Sequence, residues 1–220
     1  MSPEGIDDPA TQEACAGALQ AGARMFPLAP GVLERVADTV TPQPVLAVLP
    51  MLDDPDLLGG PDGAAEGLVV VMVDVRDPGN AGTVLRTADA AGVKAVVFSA
   101  DSVDPYNPKT VRASAGSLFH VPFCTEEDPV LLAGSLTRAG YRTLATVVRD
   151  GEDYAGVDWS VPTALFLGNE SSGLSDEVLG AMSGTVGIPM SGQAESLNVG
   201  VACAVLCFEA LRQRRSAGSR

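Results

Sequence analysis

The stretch LVVVMVDVRDPGNAGTVLR, residues 68 to 86, changes character at its middle. Its first half is a dense run of β-branched and apolar side chains, the composition of a strand buried on both faces. Asp77, Pro78 and Gly79 then make a tight turn. From Asn80 to Ala91 the pattern becomes helical, and Gly92 supplies a left-handed cap. A doubly buried strand followed at once by a helix opens a β–α unit, and the unit recurs downstream. Apolar runs at Leu68–Val75, Lys94–Ser99, His120–Cys124, Arg142–Val147, Thr163–Gly168 and Thr185–Ile188 predict buried strands. Asn107 before Pro108, and Asp128 before Pro129, place a capping side chain ahead of a proline suited to the first helical turn. Ser175 opens a shorter helix. The last helix, Ser196 to Arg214, is apolar nearly all round and needs more cover than one sheet face provides. Strands alternating with helices predict an α/β fold, a mainly parallel sheet with helices on both faces.

Outside this region the chain differs. Residues 1–66 are dominated by Gly, Pro, Ala and Asp, and MLDDPDLLGGPDGAAEG reads as a linker into the α/β domain at 67–220. Ahead of the linker, a short helix is expected from Gly31 to Asp38 and a strand from Val45 to Leu49. The 220 residues, 46% hydrophobic, suffice for one well-buried domain plus a small appendage. No stretch approaches the roughly 20 apolar residues that cross a bilayer. The start, MSPEGIDDPATQEA, is acidic and lacks the basic, then apolar, pattern of a secretion signal. A soluble, cytoplasmic protein without membrane contact is expected.

Cys15, Cys124, Cys203 and Cys207 are scattered. Cys203 and Cys207 share a helix face among apolar neighbours, with no CxxC or histidine cluster to complete a site, so they read as core thiols and no metal is expected. Fourteen basic against 28 acidic residues leave a formal charge of −14. That argues against indiscriminate nucleic-acid binding, which needs clustered Lys and Arg, and confines any RNA contact to a local basic face.

In parallel sheets ligands bind at the carboxyl ends of the strands. Three such segments are rich in Gly, Asn and Ser: DVRDPGNAGTVLR, LGNESSGLS and IPMSGQAESLNV. In the first, Asn80 can cap the helix. Gly82 lies one turn before Arg86, leaving open backbone beside a guanidinium placed to meet a phosphate or ribose. In the second, Gly168, Asn169 and Glu170 stand where a strand stops, and Gly173 permits the turn that follows. Glu170 is free to accept a hydrogen bond from a ligand or Asn80, or to pair with Arg86. In the third, Ser196 is a credible N-cap, and the Asn198 amide needs a ligand or cross-loop partner, since burying it alone would cost about 1–3 kcal/mol. There is no GxxxxGK[ST], no GxGxxG after a strand, and no Ser–His–Asp set. The residues thus predict a ligand-binding α/β domain with an Arg/Glu/Asn/Ser cluster, without naming its reaction.

Taken in order, the three segments resemble the three motifs of the SpoU (TrmH-like) branch of the SPOUT methyltransferases. The first motif runs from Asp77 through Asn80 and Gly82 to Arg86. The second runs from Leu165 through Gly168, Asn169 and Glu170 to Leu174, and the third from Ile188 and Met190 through Ser196, Leu197 and Asn198 to Glu209. The stretch Asn107 to Gly116 is similar to the family's segment between the first two motifs. The resemblance implies a deep C-terminal trefoil knot, S-adenosyl-L-methionine as cofactor, and methyl transfer to a ribose 2′-hydroxyl of RNA, 23S rRNA being favoured over tRNA. It implies that Thr146, Gly168, Asn169, Ile188, Met190, Ser196 and Leu197 hold the cofactor. Arg86, Asn80, Glu170, Ser196 and Asn198 would form the catalytic group. It also implies a homodimer packed through the first and last helices of the domain, and an N-terminal segment that retains only the final part of an L30e-like RNA-binding domain.

Overall fold

The computed structural model of the chain describes residues 8–37, 42–54, 57–58, 65–99 and 101–217. Contacts divide the chain into two compact units, Met1–Met51 and Leu52–Arg220. In the first unit, α1 (Pro9–Gln20) starts at Asp8, whose carboxylate accepts from the Thr11 backbone N–H. Composition had not marked this helix. The short α2 (Leu33–Val36) falls within the span expected for a helix, whose end at Asp38 lies outside the described residues. Val45–Leu49, expected as a strand, is not one. The segment pairs with no other strand, and Val45, Leu46, Val48 and Leu49 are exposed. Apolar composition cannot make a strand without a neighbour to complete its hydrogen bonds.

In the second unit the strands are β1 (Leu68–Met72), β2 (Ala95–Ser99), β3 (Phe123–Glu126), β4 (Arg142–Thr146), β5 (Glu152–Asp153), β6 (Thr163–Leu167) and β7 (Gly184–Gly187). They form one sheet in the order β3-β2-β1-β6-β4-β7-β5, and every ladder is parallel. Side chains of β1 alternate between two cores. Leu68, Val70 and Met72 join the core that takes Ala81, Val84 and Leu85 of α3 (Pro78–Ala91) and Cys203, Leu206 and Cys207 of α7 (Val199–Ala217). Val69, Val71 and Val73 join the opposite core with Leu132 and Leu136 of α5 (Pro129–Arg138) and Val178 of α6 (Asp176–Gly180). Helices therefore cover both faces, as the doubly buried strands require. The chain steps from β4 to β6 on one side, then returns past β4 to β7 on the other, before α7 comes back onto α3. This strand exchange brings the C-terminal part of the chain back across the sheet to the side where the domain began.

Several boundaries differ from the sequence reading for local reasons. β1 ends at Met72 rather than Val75, and Asp74 turns the chain with φ 55°. β3 starts at Phe123 instead of His120, because Ser117–Phe119 closes a 3₁₀ turn and Pro122 has no N–H to give a ladder. β7 runs one residue earlier than expected. α3 is capped by Asp77, whose carboxylate accepts from the Asn80 N–H, so Asn80 is not the cap. Likewise α7 starts at Val199, and Asn198 rather than Ser196 caps it, its Oδ1 accepting from the N–H groups of Gly200 and Val201. Asn107, Asp128 and Ser175 cap α4 (Pro108–Ala113), α5 and α6 as their positions predict. No helix among the described residues is long and apolar enough to cross a membrane.

Candidate functional site

At the carboxyl ends of β4, β6 and β7 lies a cavity of about 510 Å³. Its apolar lining includes Leu167, Leu174, Val186 and Leu206, and its rim is made by the loops 147–149 and 168–173 and by the segment from Ile188 to Leu197. Thr146, Gly168, Asn169, Ile188, Met190, Ser196 and Leu197, the residues expected around the cofactor, all line it, and Glu170 does too. The sequence reading missed Val148, Arg149, Ser171, Ser172 and Glu195, which also line it. The turn residues Asp150 and Gly151, just beyond the expected strand Arg142–Val147, were the available signal that Arg149 belongs to a strand-end loop.

Backbone packing shapes the walls. A Cβ on Gly168 would stand 2.5 Å from the Gly173 carbonyl carbon and 2.7 Å from the Leu174 nitrogen, so only glycine lets β6 end flush against its own loop. That loop is self-bonded. Asn169 Oδ1 accepts from the Ser171 and Ser172 N–H groups, while Asn169 Nδ2 donates to the Asp74 carbonyl at 2.9 Å and ties the loop to the end of β1. The loop after β4 is laid on β7 in the same way, a Cβ on Gly151 lying 2.7 Å from the Gly187 nitrogen. Thr146 Oγ1 donates to the Phe166 carbonyl at 3.1 Å, which ties the end of β4 to β6 where both border the cavity.

Beside the cavity, Asn80 is the hub of a three-residue relay. Its Nδ2 donates to Glu170 Oε1 at 2.7 Å, and its Oδ1 accepts from Asn198 Nδ2 at 2.8 Å. Because Asp77 takes the capping task, the Asn80 amide is released for these partners. Asn198 spends Oδ1 on the start of α7 and Nδ2 on Asn80, so both ends of its amide are satisfied. A Cβ on Gly200 would meet Thr83 Cγ2 at 2.7 Å, which shows how closely α7 approaches α3 here. The relay thus fixes three segments far apart in sequence: the start of α3, the loop after β6 and the start of α7.

Asn80, Arg86 and Asn198 do not line the cavity. Arg86 is exposed, about 9 Å farther along α3 than Asn80 at 1.5 Å per residue. It does not pair with Glu170. Among the described residues its guanidinium has no hydrogen-bond or ion-pair partner. Gly82 does not leave open backbone beside it, as its spacing had suggested. A Cβ there would lie 2.4 Å from the Ala113 Cβ and 2.8 Å from the Ser114 nitrogen, so Gly82 admits the backbone of α4. Ser196 is exposed at the cavity rim.

The thiols of Cys203 and Cys207 lie 3.6 Å apart in the core. The hydrogen bond between them and their burial push the Cys203 thiol well above its ordinary range. Burial likewise pushes Cys124 up to about 12. Thiols so placed are inert. Among the described residues no group of His, Cys, Asp and Glu is arranged to hold a metal ion.

Residues 67–208 match the SpoU rRNA Methylase family. The 23S rRNA (guanosine(2553)-2′-O)-methyltransferase RlmP of Bacillus subtilis is 36% identical over 191 residues, covering 86% of this chain and 73% of that protein. The tRNA (guanosine(18)-2′-O)-methyltransferase of Thermus thermophilus is 39% identical over 154 residues, covering 69% of this chain and 77% of that one. Among solved structures, the AdoMet-bound rRNA methyltransferase from Sinorhizobium meliloti superimposes with a TM-score of 0.81 at 31% identity, covering 93% of this chain and 77% of that one.

Proposed function

Because the chain belongs to the SpoU rRNA methylase family and is an S-adenosylmethionine-dependent RNA 2′-O-methyltransferase, we propose that it methylates a ribose of 23S ribosomal RNA. The observation that carries the choice of RNA is coverage. The match to the 23S rRNA enzyme takes in 86% of the chain, against 69% for the tRNA enzyme, although the tRNA enzyme is slightly the more identical where it aligns. The similarity to the rRNA enzyme therefore runs over more of the chain than the similarity to the tRNA enzyme. On this reading residues 1–66 are a shortened, L30e-like RNA-binding remnant with its linker, and 67–220 the methyltransferase domain.

The cavity suits the cofactor. Its volume falls in the range of roughly 300–1,000 Å³ typical of small-molecule sites, with an aliphatic lining and a few polar groups at the mouth. When bound, S-adenosylmethionine supplies an electrophilic sulfonium methyl group. Gly168, Asn169, Ile188, Met190 and Leu197 would hold it through backbone groups and apolar contact, with Thr146 at the end of β4 bordering its base and Ser196 at its mouth. The 2′-hydroxyl is a poor nucleophile and must be oriented and relieved of its proton. A guanidinium keeps its proton too firmly to serve as a base, so Arg86 acts better by gripping a substrate phosphate that takes the proton. Asn80, Glu170 and Asn198 hold the mouth of the cavity in register with Arg86, and Ser196 orients the ribose from the opposite rim.

The same reading includes a homodimer. Val201 and Phe208, seven residues apart on one face of α7, are 49% and 47% exposed, an apolar stripe that a second copy would cover. Light scattering at micromolar concentration should return the mass of a dimer. For the substrate, transfer of tritiated methyl groups to 23S rRNA transcripts and to bulk tRNA, with 2′-O-methyl mapping in cells with and without the gene, should find one rRNA ribose that depends on this protein. Methylation of tRNA alone would refute the rRNA assignment.

A further inference from the structure

A chain of charge −14 that acts on RNA needs a place where its field is reversed. The cations of the described residues from 52 to 217 divide by occupation, Arg215 being among those engaged. Arg76 is engaged by Asp74, Lys94 by Glu66 and Arg212 by Glu209. Arg138 bonds Ser135, Arg142 donates to the Asp158 carbonyl, and Arg214 is spent on the carbonyls of Gly67, Trp159 and Val161. Arg86, Lys109, Arg112 and Arg149 are different. All are exposed, and none has a side-chain partner among the described residues.

Their positions are not scattered. Lys109 and Arg112 are three apart on α4 and share its face. The end of α4 lies directly on α3, at the contact of Ala113 and Ser114 with Gly82. Arg86 follows Gly82 by one turn on that side of α3, so the three cations line the seam between the two helices. The exposed acid nearest Arg86 on α3, Asp89, is turned to His120 at 3.3 Å and makes no contact with the Arg86 guanidinium. At the other end of α3, the Asn80–Glu170 bond joins the seam to the cavity, whose rim holds Arg149.

We propose that Lys109, Arg112 and Arg86 form a phosphate track that carries a single RNA strand along the α3–α4 seam to the cavity mouth, with Arg149 meeting the strand on the far rim. The inference rests on the RNA methyltransferase reading and adds which surface of an acidic chain holds the RNA. α4 is thereby an RNA-binding element, and Gly82 is what lets it lie close enough to Arg86 for one strand to touch both.

The test compares two variants of equal net charge, the double substitution Lys109→Gln/Arg112→Gln and the control Lys94→Gln/Arg138→Gln. Binding of a 23S rRNA transcript and of bulk tRNA is measured from 50 to 200 mM salt, beside the thermal shift with S-adenosylhomocysteine. The track variant should bind either RNA with a log–log salt slope shallower by about 1.4, two phosphate contacts at roughly 0.7 each for a single strand. Its KM for RNA should rise at least several-fold, while the control keeps the parental slope and both keep the thermal shift. Equal slopes in the two variants, whether both fall or neither does, overturn the track. Preference between the two RNAs reads the substrate assignment separately, because the slope difference should appear on both.

Discussion

At its N-terminus α7 is joined to the molecule by Asn198, an exposed side chain whose partner, Asn80, is another side chain 118 residues away. At its C-terminus the partners are backbone atoms. Gln213 accepts from the Trp159 N–H and donates to the Val157 carbonyl, and Arg214 donates to the carbonyls of Trp159, Gly67 and Val161. Burial of Arg214 pulls its guanidinium below the usual range, as expected of a charge spent on structure. Residues 191–198, leading into the first end, are all exposed, whereas Trp159 beside the second is fully buried. The contrast separates tasks along one helix. The open end is tied by exposed side chains, and the closed end is tied to backbone around a buried tryptophan.

The sharpest way to break the contrast is Arg86→Ala, beside the open end. Methyl transfer should fall by orders of magnitude, with cofactor binding and melting temperature nearly unchanged, because its phosphate contact matters most as the 2′-oxygen gains charge. Arg86→Lys should also fail, since one ammonium cannot replace a planar, bidentate contact. Retention of more than about a tenth of the turnover, a barrier change below roughly 1.4 kcal/mol, would leave Arg86 an ordinary surface residue.

Gly168→Ala comes next. The added methyl group meets the Gly173–Leu174 backbone and forces the loop away from β6. In the parent, S-adenosylhomocysteine at 100 times its Kd should add about 2.7 kcal/mol of stability. The variant should lose that shift, read by differential scanning fluorimetry, while circular dichroism shows it folded. A full shift in the variant would mean that the cavity is not where the cofactor binds.

At the closed end, Arg214→Ala leaves carbonyls short of donors and should cost about 1–3 kcal/mol in urea unfolding, with cofactor affinity preserved. Parallel loss of affinity would show the two ends to be one unit.

The smallest effect concerns Glu209, midway along α7. The hydrogen bonds from Arg212 and Gln213 hold its carboxyl down at about 2, against an ordinary 4.5. A depressed carboxyl stabilises the fold above its unfolded pKa, and that contribution disappears as pH falls from about 4.5 toward 2. The melting-temperature gap between the parent and Glu209→Gln should therefore narrow over that window. A gap constant with pH would mean that the pair contributes nothing specific.

The strands and helices of the α/β unit were legible in the sequence because their signals are local. β-branched runs mark doubly buried strands, and a capping side chain ahead of proline marks a helix start, as at Asn107 and Asp128. Of the cavity, the Gly-, Asn- and Ser-rich strand-end segments were legible for a related reason, whereas the individual cofactor residues came only from the resemblance. A glycine such as Gly168, at the end of a buried strand, announces a close backbone approach wherever it occurs. What sequence could not decide was every choice between two adequate side chains. Asp77 and Asn80 could each cap α3, and Ser196 and Asn198 could each cap α7. The structure settles both through partners 90 and 118 residues distant, Glu170 for Asn80 and Asn80 for Asn198. Gly82 looked open because α4, which it admits, comes from a later part of the chain. Val45–Leu49 had the composition of a strand but no neighbour to pair with. The order of the strands, with β4 between β6 and β7, is likewise set by which faces remain to be covered after collapse. No period in the sequence carries that, because periodicity records which side of an element is buried and not against what.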